Sequence, residues 1–95
     1  MARKHKLLWT GPALGDLREI CDYVSRDNPS AAKKLASSIR EAVLRLQRHP
    51  HSGRVVPELP ALGYREVIVA PYRIVYTIAE NVVVLRVWHG RRAMV

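Results

Sequence analysis

Two runs rich in β-branched residues near the end of the chain constrain its fold most strongly. They cover residues 72–79 and 82–89, and they flank Glu80-Asn81, where the hydrophobic pattern breaks. An asparagine can take the left-handed conformation that a tight turn requires. The sequence therefore predicts an antiparallel hairpin whose two strands are joined by these two residues.

The length of this loop decides which residues face each other. A two-residue loop pairs Ala79 with Val82, Thr77 with Val84, Val75 with Arg86 and Arg73 with Trp88. Because side chains alternate between the two faces of a strand, this register separates an apolar face from a mixed, cationic face. The apolar face, which we expect in the core, carries Ile74, Tyr76, Ile78, Val83, Leu85 and Val87. The other face carries Arg73, Val75, Thr77, Val84, Arg86 and Trp88.

The chain is strongly basic, with a formal net charge of +8 and a sequence pI near 10.4. Such a charge implies an acidic partner, which could be nucleic acid, an acidic protein segment or an anionic surface. Charge alone does not choose among the three. The 95 residues are the length of one domain, which we expect to span residues 1–95.

The number and spacing of the cysteine and histidine residues argue against disulfide bonds and a zinc site. The single Cys21 excludes an internal disulfide framework, and the four histidines lack the spacing of a zinc site. We therefore expect no metal and no cofactor. The apolar runs are too short for a signal-peptide core or a membrane span, which predicts a cytoplasmic protein without a membrane partner.

A cap residue followed by proline starts each of two predicted helices: Thr10 or Gly11 before Pro12, and Asn28 before Pro29. Apolar residues then recur at steps of three and four, to about residue 26 in the first helix and residue 48 in the second. The apolar stripe of the first helix is Leu14, Leu17, Ile20, Cys21 and Val24. The short connection predicts an antiparallel helical hairpin.

Together with a first strand at residues 6–9 and another at 64–69, these elements give the order β-α-α-β-β-β. We expect an α+β fold in which the helical hairpin packs on one face of a small antiparallel sheet and the opposite face stays open. An open face bearing Arg73, Arg86 and Trp88 is a candidate binding surface. The full set of candidate partner-binding residues is Arg65, Arg73, Arg86, Trp88, His89, Arg91 and Arg92.

The side of the sheet on which Arg65 lies depends on the connection at Ala70-Pro71. A two-residue loop pairs Val67 with Ile74 and places Arg65 on the core side, at its rim. A longer loop or a bulge places it on the open face instead. Both arrangements are compatible with the sequence. A structural ion-pair role is favoured for Arg65, which is followed directly by an acidic residue.

Short motifs follow one another along almost the whole chain. They are Trp9-x-x-x-Ala13-x-x-Asp16-Leu17-x-x-Ile20-x-x-Tyr23, Asn28-Pro29-x-Ala31-Ala32, Pro50-x-x-Gly53-Arg54, Gly63-x-Arg65-Glu66, Tyr72-Arg73-Ile74-Val75-Tyr76 and Val87-Trp88-His89-Gly90-Arg91-Arg92. In this order and at these spacings, the chain resembles the ParE/RelE superfamily of bacterial type II toxins. Its ending, V-W-H-G-R-R, resembles the ParE branch more than the RelE branch.

The resemblance implies a toxin that is neutralised by a cognate acidic, ParD-like antitoxin wrapped around it. An acidic wrapping segment agrees with the charge of +8. Toxins of the ParE type poison DNA gyrase, whereas those of the RelE type cut messenger RNA in the ribosome. The resemblance also implies that operator DNA is contacted only through the antitoxin.

The chemistry of RNA cleavage favours the ParE branch. Metal-independent cleavage needs a proton acceptor, cations at the phosphate and help for the leaving oxygen. In the RelE type these roles are implied to belong to lysines and arginines of the sheet and to a C-terminal tyrosine. Here residues 64–69 contain no lysine, and no tyrosine follows Trp88.

Three functions are therefore carried forward. The favoured one is a non-enzymatic toxin that binds gyrase. The first alternative is a ribosome-dependent mRNA endonuclease using Arg73, Arg86 and His89. For His89, however, we favour a structural role, as a histidine buried at the sheet edge and bonded to the backbone. The second alternative is a small basic nucleic-acid-binding module, for which the sequence offers no Gly/aromatic RNA-binding motif.

Overall fold

A computed structural model describes residues 5–90 of the chain. Five strands and two helices follow one another in the predicted order, with one strand more than predicted. The elements are β1 (Leu7–Trp9), α1 (Gly11–Asp27), α2 (Pro29–Arg45), β2 (Arg54–Val55), β3 (Arg65–Val69), β4 (Tyr72–Ile78) and β5 (Val82–His89). Short 3-10 turns lie at Pro50–Ser52 and Pro60–Leu62. Neither α1 nor α2, within residues 5–90, qualifies as a membrane-spanning helix.

The sheet has the strand order β1-β5-β4-β3-β2. β1 runs parallel to β5, and the other neighbours are antiparallel, so the sheet is mixed rather than wholly antiparallel as predicted. The two helices form the expected hairpin and pack on one face of the sheet, which we call the helix face. The opposite side is called the second face. The predicted α+β class is confirmed.

Both predicted helix caps are present. The Thr10 hydroxyl accepts a hydrogen bond from the Ala13 N–H at 3.2 Å, and the Asn28 side-chain oxygen accepts one from the Ala31 N–H at 3.1 Å. The Thr10 hydroxyl also donates to the carbonyl of Leu85, 3.0 Å away. The start of α1 is thereby fixed to β5.

The hairpin of β4 and β5 corrects the predicted register near its turn. Ile78 pairs with Val82, so the loop has three residues, and an irregularity follows between Val75 and Tyr76. Tyr76 faces Val84 while Val75 faces Arg86, which leaves Leu85 as an extra residue in β5. The pairs of Val75 with Arg86 and of Arg73 with Trp88 were predicted correctly. The predicted pairs of Thr77 with Val84 and of Ala79 with Val82 are wrong.

The bulge changes which residues of β5 enter the core. Val82 and Val84 are fully buried, whereas Val83 and Leu85, which were predicted there, are only half-buried. Beyond the bulge, Val87 is buried as predicted. The main core on the helix face consists of Ala13, Leu17, Ile39, Val43, Ile74, Val84 and Val87, with Leu46, Tyr76 and Val82 beside it.

The second face is not open over its whole area, contrary to expectation. Neither α1 nor α2 lies on it, but the segment 56–64 crosses it and buries Val56 and Val75. Leu59, Tyr64, Leu85 and Trp88 pack around this pair. The N–H of Val56 donates to the carbonyl of Tyr64 at 2.8 Å, which closes the segment into a compact loop.

The connection at Ala70-Pro71 has two residues, since Val69 pairs with Tyr72 and Val67 with Ile74. Of the two arrangements open for Arg65, the structure therefore has the first, at the rim of the helix face.

Candidate functional site

Arg73 lies at the centre of a four-residue ion-pair network on the second face. Its Nη1 and Nη2 donate to the two carboxylate oxygens of Glu58 at 2.7 and 2.8 Å. Its Nε donates to Glu66 at 2.7 Å, and the other oxygen of Glu66 accepts from Arg54 at 2.6 Å. The side chain of Arg73 is 7% exposed and that of Glu66 is fully buried. The network thus contains two cations and two anions.

The ion pairs shift the ionisation of their members. The hydrogen bond from Arg73 is the main cause that lowers the pKa of Glu58 to about 2, and the same bond raises the pKa of the Arg73 guanidinium above its usual value. Both groups are therefore held in their charged forms. The prediction that Arg73 lies on an uncovered surface is wrong, because segment 56–64 places Glu58 over it.

Arg86 forms the second ion pair of the site, at the edge of β5. Its Nε and Nη2 donate to the carboxylate of Asp16 at 2.7 and 2.9 Å, and Asp16 also accepts the N–H of Val87 at 2.9 Å. Hydrogen bonding to Asp16 raises the pKa of Arg86, to which the charge of Glu19 also contributes. The guanidinium carbon lies 5.1 Å from the ring centroid of Trp88.

His89 lies on the helix face, opposite Tyr72 in the sheet. The two rings meet edge to face with their centroids 5.8 Å apart. The side of the sheet is the predicted one, but His89 is exposed rather than buried at the edge. The structure therefore does not bring His89 together with Arg73, whose side chain is enclosed on the second face.

Arg65 and Gly53 secure the turn that leads into β2. The Nη1 of Arg65 donates to the carbonyl of Gly53 at 2.7 Å, so its role is structural but is not the ion pair that was expected. The Tyr76 hydroxyl donates to the carbonyl of Pro50 at 2.6 Å and accepts the N–H of Gly53 at 3.0 Å. A Cβ on Gly53 would lie 2.5 Å from this hydroxyl. Only glycine fits here without displacement.

Two predicted binding residues, Arg91 and Arg92, lie outside the described residues. Sequence reasoning also missed the three carboxylates that organise the site, those of Asp16, Glu58 and Glu66. One signal was available for Glu66: if the connection at Ala70-Pro71 has two residues, side-chain alternation in β3 places Glu66 on the same face as Arg73.

An apolar groove of about 280 Å³ runs between α1, α2 and β1. Its floor includes the buried Leu17 and Val43, whereas Leu14 and Leu44 at its rim are 48% and 54% exposed. Leu14, a member of the predicted apolar stripe of the first helix, therefore lies at the surface and not in the core. The lining is completed by Leu7, Trp9 and Arg40. Exposed leucines around a concave apolar floor are typical of a protein-binding groove.

In the described part of the chain, no group of three or more His, Cys, Asp or Glu side chains is placed to hold a metal ion.

Solved structures of toxin-antitoxin systems contain the same fold. A chain of the chromosomal ParDE system from P. aeruginosa superposes with a TM-score of 0.73 at 28% identity, covering 93% of this chain and 98% of that chain. A chain of the RelBE2 toxin-antitoxin complex from Mycobacterium tuberculosis gives a TM-score of 0.65 at 23% identity, covering 94% and 93%, which shows the shared fold alone. The architecture is that of the ParE/RelE superfamily.

Sequence comparison defines the family within this superfamily. Residues 7–94 match the family described as the ParE toxin of the type II toxin-antitoxin system parDE. The protein named Toxin RelE2 of Caulobacter vibrioides is 36% identical over 89 residues, covering 92% of this chain and 97% of its own length. The chain belongs to the ParE toxin family. It is a type II toxin of the ParE/RelE superfamily.

Proposed function

We propose that this toxin arrests growth by binding DNA gyrase without cutting nucleic acid, and that a cognate acidic antitoxin neutralises it. The observation that carries the proposal is the closed state of the second face. The loop 56–64 packs over its apolar centre, and Arg73 is bound on two sides by Glu58 and Glu66. Because gyrase is a cytoplasmic enzyme, the proposal places the toxin in the cytoplasm.

A ribonuclease of this fold would need cations free to hold a phosphate beside a proton acceptor. Both arginines of that hypothesis are already bound to carboxylates, Arg73 to Glu58 and Glu66 and Arg86 to Asp16. The proton acceptor of that hypothesis, His89, is exposed on the helix face. Dismantling one or both ion pairs would have to precede any phosphate binding. This cost supports a toxin that acts by binding.

The apolar groove supports the antitoxin part of the proposal. An amphipathic helix could place apolar side chains between Leu14 and Leu44 and an acidic side chain near Arg40. The charge of +8 would attract an acidic partner before it docks. The solved relatives from P. aeruginosa and M. tuberculosis are themselves parts of toxin-antitoxin systems. Operator DNA would be contacted through the antitoxin.

The test uses purified toxin in two assays. In the first, gyrase and supercoiled plasmid are incubated with the toxin, and we expect gyrase-dependent double-strand breaks after detergent and protease treatment. In the second, translating ribosomes are incubated with the toxin, and we expect intact messenger RNA. Transcripts cut at codon positions would overturn the proposal in favour of the RelE-type endonuclease.

Variants then locate the surface that binds gyrase. Arg91→Ala/Arg92→Ala removes two candidate contact residues, and we expect fewer plasmid breaks. Arg18→Ala/Arg26→Ala removes the same charge from exposed positions of α1 and serves as the control. Equal loss in both double variants would show a general charge effect. In that case, binding to random DNA with a steep salt dependence would favour the basic nucleic-acid-binding module.

A further inference from the structure

A second concave site lies between α1 and the last residues of β5. Its volume is about 350 Å³, and one wall is formed by residues that recur at helical spacing along α1. They are Asp16, Glu19, Ile20 and Tyr23. The other wall includes the aromatic side chains of Tyr72, Trp88 and His89. We call this site the aromatic cleft.

The fold creates the cleft because β1 is short. β1 pairs with β5 only as far as Val84, so the following residues of β5 have no strand beside them on that edge within residues 5–90. α1 lies along this edge instead, and Asp16 accepts the N–H of Val87. The cleft lies beyond that contact, between α1 and the last residues of β5.

The charge of the cleft is opposite to that of the whole chain. α1 contains four of the eight acidic residues and two arginines; the acidic residues are Asp16, Glu19, Asp22 and Asp27. Asp16 is engaged by Arg86, whereas Glu19 is exposed and forms no ion pair within the described residues. The cleft therefore presents one available carboxylate beside several aromatic rings in a protein of net charge +8.

Aromatic rings next to a carboxylate favour a cation. The ring faces attract positive charge, and the carboxylate neutralises it. The protein already contains such an arrangement next to the cleft, where Arg86 lies over Trp88 while bound to Asp16. Tyr23 is 69% exposed, so its ring is accessible to a ligand.

We propose that the aromatic cleft binds an arginine side chain from a basic segment of a protein partner. Arginine is favoured over lysine because its planar guanidinium can stack on a ring while donating two hydrogen bonds to one carboxylate. Glu19 is the carboxylate, and Tyr23 and Tyr72 supply the rings. The site takes a cationic side chain, whereas the proposed antitoxin segment is acidic, so we assign the site to a partner other than that segment.

Nα-acetyl-arginine methylamide is the probe, and the citrulline analogue is its neutral match in size and shape. Each is titrated into the full-length toxin at constant ionic strength while backbone amide and tryptophan indole resonances are followed by NMR. We expect saturable shifts at Glu19, Tyr23 and Trp88 with the arginine probe. Binding of the citrulline probe should be weaker by about tenfold.

Two variants on the same helix make the test specific. Glu19→Gln keeps the size of the side chain and should weaken binding of the arginine probe to the level of the citrulline probe. Asp22→Asn removes the same charge from an exposed position that does not line the cleft, and it should leave binding unchanged. Tyr23→Leu should also weaken binding while keeping the helix intact.

Three results would overturn the proposal. The first is equal binding of the two probes, and the second is unchanged binding in Glu19→Gln. The third is binding that appears only in Arg91→Ala/Arg92→Ala, because the site would then belong to the chain itself rather than to a partner. None of these results depends on whether gyrase is the target.

Discussion

Asp16 and Arg86 lie 70 positions apart in the chain, and their side chains meet in a two-point ion pair at the edge of the sheet. The same carboxylate accepts the N–H of Val87, which faces away from β4 at a position that β1 does not reach. The buried carboxylate of Asp16 thus accepts a backbone N–H that has no strand partner, and it attaches α1 to β5. With the bond from Thr10 to the carbonyl of Leu85, it gives α1 two fixed points on this strand.

Replacing Asp16 should therefore destabilise the whole domain. Asp16→Ala removes the acceptor of the Val87 N–H and of the Arg86 guanidinium. We expect the unfolding free energy to fall by about 2–3 kcal/mol. The loss is smaller than for a fully buried pair because Arg86 is partly exposed. Urea denaturation followed by circular dichroism measures the change. Asp22→Ala, an exposed position of the same helix, should change it by less than about 0.5 kcal/mol. Similar losses in both variants would contradict the role given to Asp16.

Gly53 should tolerate no side chain. In Gly53→Ala the new Cβ would lie 2.5 Å from the Tyr76 hydroxyl and 2.6 Å from the carbonyl oxygen of Glu66. We expect a loss of about 3 kcal/mol in thermal or urea unfolding. Tyr76→Phe removes one of three obstacles and should not rescue the variant, because the carbonyl oxygen of Glu66 and the ring carbon Cε1, 2.8 Å from the new Cβ, remain. Full rescue would show that the hydroxyl alone excludes a side chain.

The elements whose causes are local could be predicted from the sequence. Thr10 and Asn28 cap helices because a short polar side chain reaches the N–H three residues on, and a following proline favours the same start. Ala70-Pro71 could be recognised as a connection, but its length could not be predicted, which left two arrangements of Arg65 open. These features depend on residues that are close in sequence, so one sequence is enough to predict them.

The elements with distant causes could not be predicted. The bulge at Leu85 depends on a three-residue loop and on the bond from Thr10, 75 positions away. The covering of Arg73 depends on Glu58, which lies in a proline-containing segment without regular periodicity. A segment without periodicity is interpreted as a surface loop. Its packing over Arg73 becomes visible only in the folded structure. Arg73, which the sequence pattern indicated as a binding residue, is therefore a counterion of Glu58 and Glu66 inside the protein.

The covering of Arg73 by Glu58 predicts a pH dependence with a definite sign. The pKa of Glu58 is about 2 in the folded protein, lower than its ordinary value of 4.5. Its contribution to stability is therefore complete above about pH 4.5 and is lost as the pH falls towards 2. The difference in unfolding free energy between the wild type and Glu58→Gln should follow the same course, shrinking over this range. Urea denaturation at pH 7, 5, 4, 3 and 2 measures it, and a difference independent of pH would contradict the ion pair.

The apolar groove predicts that antitoxin binding can be lost without loss of folding. Leu14 is 48% exposed at the groove rim, so Leu14→Glu should leave the unfolding free energy within about 0.5 kcal/mol of the wild type. The new carboxylate would enter an apolar interface and repel an acidic partner, which should weaken binding at least about tenfold.

Isothermal titration with the protein encoded by the neighbouring reading frame measures this affinity. Leu62→Glu is the matched control, since Leu62 is 55% exposed and lies on the loop over the second face, away from the groove. Weakening by Leu62→Glu alone would place the antitoxin over the second face. Unchanged binding in both variants would exclude both surfaces as its main contact.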